Sequence, residues 1–287
     1  MVVITEPRKQ DRTILGVMAP TRAPAVAGSF YPSDPGELRT VVESLLSRAV
    51  VQDGPAPRAL VVPHAGYIYS GSVAASAYAQ LLPHRDTYRR VVLLGPAHHA
   101  PLRGMALPGV DEFISPLGSV PLDRAAIAAL DQPGITVDAE AHRLEHSLEV
   151  QLPFLQVTLG RFELLPLVVG LAETGAVASV IDVLWDLPSS LVVVSSDLSH
   201  YLGYAAARAR DRGTCRSIEA MDPTGIDPSD ACGAGPLKGL LAAAERRGMT
   251  VHTLDLRNSG DTAGSRDRVV GYGAWMFTQE IPCKTAA

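Results

Sequence analysis

The chain has 287 residues, is 47% hydrophobic and carries a formal net charge of −5. This composition supplies enough apolar side chains for a packed core. Nucleic acid is not expected as a partner, because phosphate binding needs clustered Lys and Arg and the sequence has no basic block. It also shows no apolar run of membrane-spanning length, no signal segment and no pairing pattern among its three cysteines. We therefore expect a soluble cytoplasmic protein.

The chain is predicted to form one domain behind a short leader. Residues 1–22 are mixed in composition and lack a sustained apolar period, so we predict a flexible leader there and a single domain over 23–287. Asp34 and Pro35 are typical of a helix start, and apolar residues recur at helical spacing after them.

The rest of the chain alternates between apolar strands and helices. Strands are predicted near 59–63, 91–95, 164–169, 191–195, 251–256 and 269–277. Helices are predicted near 71–82, 122–130, 146–159, 174–186, 204–220 and 236–247. Pro153 should bend or shorten one helix, and Pro166 weakens one strand prediction. The pattern predicts an α/β fold with a mostly parallel central sheet, helices on both faces and a final antiparallel strand pair.

Histidines follow three of the predicted strands. His64, His98 and His200 each lie just beyond a strand end, and open α/β sheets bind ligands at the carboxyl ends of their strands. If the strands before His64 and His98 are neighbours, the two imidazoles approach each other and suit Zn, Fe, Cu or Ni. The alternative is that each histidine only caps its strand end through a hydrogen bond.

A cysteine lies close to a predicted helix start. Cys232 precedes Pro236, which fits a first helical turn, and the helix dipole lowers a thiol pKa at such a position. A thiolate there could ligate a metal or act as a nucleophile. The alternative is a small buried residue in a glycine-rich turn.

Two further groups could take part in acid/base chemistry. Asp197 lies three residues before His200 and could orient its imidazole, or it could cap the following helix instead. Glu145 and Glu149 flank His146 at a helix start, where acidic side chains are favourable on dipole grounds alone. The dipole does not explain His146, so we predict a neutral, hydrogen-bonding histidine near the site.

These segments together resemble the Memo family, whose bacterial members are named AmmeMemoRadiSam system protein B. The resemblance extends from residue 25 to about 277. The motifs that carry it are 27–31 (AGSFY), 63–67 (PHAGY), 95–99 (GPAHH), 145–149 (EHSLE), 195–200 (SSDLSH), 232–233 (CG), 258–261 (NSGD) and 271–273 (GYG). Several motifs in one order make the resemblance specific.

The resemblance implies a fold similar to that of LigB-type class III extradiol dioxygenases, which hold non-haem Fe(II) with two histidines and a glutamate. Memo proteins use two histidines and a cysteine, so the implied metal ligands here are His64, His98 and Cys232. The resemblance also implies that Asp197 and His200 act as acid/base groups or support the metal ligands from behind. His146 lines the pocket.

A thiolate in place of a carboxylate changes which metal is held, so ring-opening activity does not follow from the fold. We predict a metal-dependent redox or dioxygenase-like enzyme with Fe(II) as the lead metal and Cu or Zn as alternatives. The rival functions are a non-catalytic module that binds a peptide or small anion in the same pocket, and a zinc hydrolase. The bacterial family name also implies association with an AMMECR-type protein and a radical SAM enzyme.

Overall fold

The computed structural model describes residues 20–130 and 132–279. The strands are β1 (Thr21–Arg22), β2 (Ala59–Val62), β3 (Arg90–Pro96), β4 (Met105–Leu107), β5 (Glu112–Ser115), β6 (Gly118–Pro121), β7 (Ile135–Val137), β8 (Glu163–Val169), β9 (Ser190–Ser195), β10 (His200–Leu202), β11 (Thr250–Asn258) and β12 (Val269–Thr278). The α-helices are α1 (Pro35–Leu46), α2 (Tyr67–Tyr78), α3 (Arg124–Ala129), α4 (Ala139–Arg143), α5 (His146–Glu149), α6 (Leu152–Leu159), α7 (Thr174–Trp185), α8 (Tyr204–Glu219), α9 (Ala234–Arg246) and α10 (Ser259–Thr262). None of these helices is both long enough and apolar enough to cross a membrane.

A large central sheet organises the molecule, in the order β10-β12-β2-β9-β3-β8-β4-β7, with β11 also paired to β12. Its centre is parallel, because β9 pairs in parallel with both β2 and β3, and β3 pairs in parallel with β8. Antiparallel pairs of β12 with β2 and of β4 with β8 flank this centre. The predicted antiparallel pair at the end of the chain, β11 with β12, is present.

Helices cover both faces of the sheet, and each face has its own apolar cluster. Val91 and Leu93 of β3 face the cluster that also contains residues of α1, α2 and α6. Val92 and Leu94 of the same strand face the cluster that contains residues of α7, α8 and α9. This alternation along a buried strand confirms the predicted α/β class with helices on both faces.

Pro153 and Pro166 both lie where a missing backbone N–H costs no hydrogen bond. The helix predicted over 146–159 is divided into α5 and α6, and Pro153 lies in the first turn of α6, where a missing N–H is harmless. Pro166 lies inside β8. The backbone N–H and C=O of Leu164 point away from β3, because its carbonyl accepts the Asp123 N–H. These groups alternate in direction along a strand, so the backbone nitrogen of Pro166 also points away from β3. There β4 pairs only with Val168 and Val169, so no ladder bond is lost.

Two residues assigned to the predicted leader, Thr21 and Arg22, form a strand. Residues 1–19 of the predicted leader lie outside the described residues, but Thr21 and Arg22 form β1, which pairs with β5. Arg22 is buried, and its guanidinium donates to Glu149 Oε2 at 2.6 Å and to the His142 carbonyl at 2.9 Å. The domain therefore includes residues 21–22, because a buried ion pair holds them.

A buried histidine in α4 predicts acid sensitivity. His142 donates from Nε2 to the Ala106 carbonyl at 2.8 Å, and burial lowers its pKa from 6.5 to about 4. Between these pH values the unfolded chain binds a proton that the folded protein does not, so stability falls as the pH falls through this window. We expect wild type to lose up to about 3 kcal/mol of unfolding free energy relative to His142→Gln between pH 7 and pH 4. Urea titrations across this range measure the difference; parallel curves for the two proteins would contradict it.

Candidate metal site

Two histidine loops meet at the carboxyl edge of the sheet. His64 lies just beyond β2 and His98 just beyond β3, and their ring centroids are 5.2 Å apart. Their strands are not neighbours, because β9 lies between β2 and β3. The His64 ring lies over the end of β9, where Ser195 Oγ is 2.8 Å from His64 Nδ1, and the His98 ring still reaches it.

A third imidazole completes the cluster. His146 is the first residue of α5, and its ring centroid lies 4.7 Å from that of His98 and 5.5 Å from that of His64. One ligand atom from each of the three histidines lies within 4.8 Å of the others. Among the residues that the structure describes, these histidines are the only group of three or more potential ligands with ligand atoms this close together.

The imidazoles of His64 and His146 are neutral. Burial, together with the neighbouring His98, lowers the pKa of His64 to about 3. Burial and the neighbouring His64 lower the pKa of His146 to about 4. A neutral imidazole keeps one nitrogen lone pair free, which is the form that binds a metal.

Cys232 contacts the histidine cluster at His64. Its Sγ lies 3.3 Å from Nε2 of His64, and its N–H donates to the Asp197 carbonyl at 3.3 Å. Gly233 permits this approach, because a Cβ there would lie 2.7 Å from the Ser195 carbonyl oxygen. The predicted lowering of the thiol pKa was wrong: burial and the charge of Asp197 raise the pKa of Cys232 to about 12. The thiol therefore keeps its proton until a ligand displaces it.

Asp197 acts on the His64 loop. Its Oδ1 accepts the His64 backbone N–H at 2.8 Å, and burial raises its pKa although this bond opposes the shift. It does not cap the next helix, since α8 begins at Tyr204 after Gly203. His200 is exposed in β10, and no hydrogen bond joins it to Asp197 within residues 20–130 and 132–279.

Glu145 is a site residue that sequence reasoning assigned only to the helix start. Its carboxylate caps α5 at the Ser147 N–H and also accepts from the His98 N–H at 2.6 Å and from His98 Nδ1 at 2.9 Å. Burial alone would raise its pKa, but the bonds from His98 outweigh burial and lower it. Because a carboxylate only accepts, Nδ1 of His98 carries the hydrogen and Nε2 offers its lone pair.

Phe30 packs against one side of the histidine cluster. Its ring lies edge-on to His146, with centroids 5.0 Å apart, and its carbonyl accepts the Tyr67 N–H at 2.8 Å. This backbone bond joins the segment before α1 to the start of α2.

Comparisons with known proteins show the family of this chain. A family model described as Memo-like protein matches residues 22–276. A MEMO1 family protein of Methanosarcina barkeri is 36% identical over 269 residues, covering 88% of this chain and 98% of the relative. Its counterpart in Methanopyrus kandleri is 34% identical, covering 89% and 98%. That of Sulfolobus acidocaldarius is 36% identical, covering 89% and 99%. Matches of this extent show that the chain belongs to the Memo family.

Proposed function

We propose that this protein is a metal-dependent oxidoreductase of dioxygenase-like type, with Fe(II) as the lead metal and copper as the second. The observation that supports it best is the meeting of three imidazoles within 4.8 Å of one another, with a thiol 3.3 Å from one of them. The substrate in this proposal is a small molecule.

The donor set fits a first-row transition metal. Imidazole suits Fe, Cu and Zn, and a thiolate adds affinity for the softer of these ions. Two ligand sets share His64 and His98: one is completed by His146 and the other by Cys232. In the first set, one ligand atom from each residue lies within 4.8 Å of the others. The second requires Cys232 to lose its proton, so metal binding through it would release that proton to solvent.

The protein's own residues would position the reactants. When bound, the metal would supply electron transfer and Lewis acidity. Asp197 fixes the backbone of the His64 loop, Glu145 fixes the ring of His98, and Phe30 shields one side of His146. His200, exposed in β10, is the group we assign to move a proton to or from the substrate.

Metal analysis tests this proposal. We expect His64→Ala and Cys232→Ala, purified without oxygen or chelators, to lose stoichiometric metal that wild type retains, with circular dichroism unchanged. His146→Ala tells the two ligand sets apart: if it keeps its metal while Cys232→Ala loses it, the two-histidine and cysteine set is the site. Equal metal content in wild type, His64→Ala and Cys232→Ala would refute the proposal.

The rival functions give different outcomes in the same preparations. Tight binding of a peptide or small anion by metal-free protein, without oxygen uptake, would favour a binding module. Ester or amide hydrolysis with Zn and none with Fe would favour a hydrolase that uses a metal-bound water.

A further inference from the structure

A buried chain of hydrogen bonds runs from Tyr78 through Gln151 and Ser195 to His64. All four side chains are buried. We propose that Gln151 and Ser195 are positioning residues that hold His64 with its hydrogen on Nδ1, so that Nε2 offers a lone pair to the pocket. This inference rests on the proposed metal site.

The orientation of the Gln151 amide is determined first. Its Nε2 lies 3.0 Å from the Pro63 carbonyl oxygen and 2.9 Å from Ser195 Oγ, and its Oε1 lies 2.9 Å from Tyr78 Oη. A carbonyl oxygen only accepts, so the amide nitrogen, and not the amide oxygen, must face Pro63. Both amide hydrogens are then used, one on Pro63 and one on Ser195, and Tyr78 donates to Oε1.

The hydroxyl of Ser195 is determined next. Its Oγ lies 2.7 Å from the Ser147 carbonyl oxygen, which again only accepts, so the single hydroxyl hydrogen points there. The same oxygen already accepts one hydrogen from Gln151. One lone pair of Oγ remains, and it faces His64 Nδ1 at 2.8 Å.

His64 must therefore donate to Ser195. If Nδ1 carried no hydrogen, two lone pairs would face each other in a fully buried site, and Ser195 would have no second hydrogen to place between them. With the hydrogen on Nδ1, Nε2 carries the lone pair and points to Cys232 Sγ, 3.3 Å away. The Cys232 thiol can donate to this lone pair, and the Asp197 carbonyl oxygen, 3.6 Å from Sγ, is its second acceptor.

His64 and His98 thus both carry their hydrogen on Nδ1, but different groups accept it. A carboxylate, Glu145, accepts from Nδ1 of His98, whereas a neutral hydroxyl, Ser195, accepts from Nδ1 of His64. The two Nε2 atoms both offer lone pairs, but only one imidazole is paired with a negative charge. Ligand orientation of this kind is the usual role of residues behind a metal site.

The variant Ser195→Ala tests the proposal, with Ser190→Ala as its matched control. Both serines are buried in β9, at opposite ends of the strand. Nitrogen NMR of metal-free protein with ¹⁵N-labelled histidine, with the His64 signal assigned by its loss in His64→Ala, reports which nitrogen carries the hydrogen. In wild type and Ser190→Ala we expect it on Nδ1 of His64. In Ser195→Ala we expect part or all of it on Nε2, where Cys232 sulfur can accept it.

Zn²⁺ titration supplies the second measurement. We expect Ser195→Ala to bind Zn²⁺ about 10–100-fold more weakly than wild type, and Ser190→Ala to bind it equally well. A hydrogen on Nε2 in wild type would overturn the proposal without any variant. So would equal affinity in Ser195→Ala and wild type, or weaker binding with the hydrogen still wholly on Nδ1. If wild type binds no metal, the proposed function fails, and the NMR result on wild type still decides the placement of the hydrogen.

Discussion

Replacing Arg22 with methionine should lower the free energy of unfolding by about 3–5 kcal/mol, because it leaves a buried carboxylate without its counter-charge. The Glu149 side chain is 0% exposed and that of Arg22 is 5% exposed. Glu149 also accepts from the backbone N–H groups of Ala25 and Val26 and from the hydroxyl of Tyr31, so it cannot turn towards solvent without breaking these bonds. Urea unfolding at neutral pH measures the loss.

The control is a charged pair that lies in solvent. Arg39 and Glu43 approach to 3.9 Å, with side chains 53% and 57% exposed. Arg39→Met removes the same chemical group and should change the free energy of unfolding by no more than about 0.5 kcal/mol. Similar losses in Arg22→Met and Arg39→Met would show that burial does not increase the contribution of the Arg22–Glu149 pair to the free energy of unfolding.

The substitution Glu145→Gln should weaken metal binding by about 10–100-fold. Both carboxylate oxygens of Glu145 accept hydrogen bonds, Oε2 from the His98 N–H and Oε1 from His98 Nδ1 and the Ser147 N–H. A glutamine has only one oxygen to offer. In either orientation its NH₂ group faces a donor, and the His98 ring or the start of α5 must move.

Metal titration of Glu145→Gln measures the loss of affinity, and Glu140→Gln is its control. Glu140 lies in the adjacent helix α4 with a side chain 73% exposed, so its amide variant should bind metal as wild type does. Thermal unfolding of both variants separates lost affinity from lost structure. Unchanged affinity in Glu145→Gln would mean that the orientation of His98 does not depend on the carboxylate.

The fold could be predicted because its signals are local. The apolar runs ending before His64, His98 and Asp197 are strands β2, β3 and β9, and the helices between them follow the apolar period. The order of these strands is not local information. The insertion of β9 between β2 and β3 depends on chain crossovers and not on the residues of either strand, so the sequence could not reveal that Ser195 lies beneath His64.

The site could be predicted as a collection of residues but not as a set of contacts. His64, His98, His146 and Cys232 were singled out, and the structure brings them together. The bond between Glu145 and His98 joins residues 47 positions apart, and no spacing rule indicates it. The protonation of Cys232 depends on how deeply the loop is buried, which outweighs its nearness to the start of α9.

The short helix α5 links the histidine cluster to the segment that carries Phe30. α5 has four residues, beginning with His146 and ending with Glu149. Glu149 ties down the segment that leads to Phe30, and Phe30 rests against His146. A shift of α5 would therefore move His146, a potential ligand, together with the Phe30 ring that packs against it.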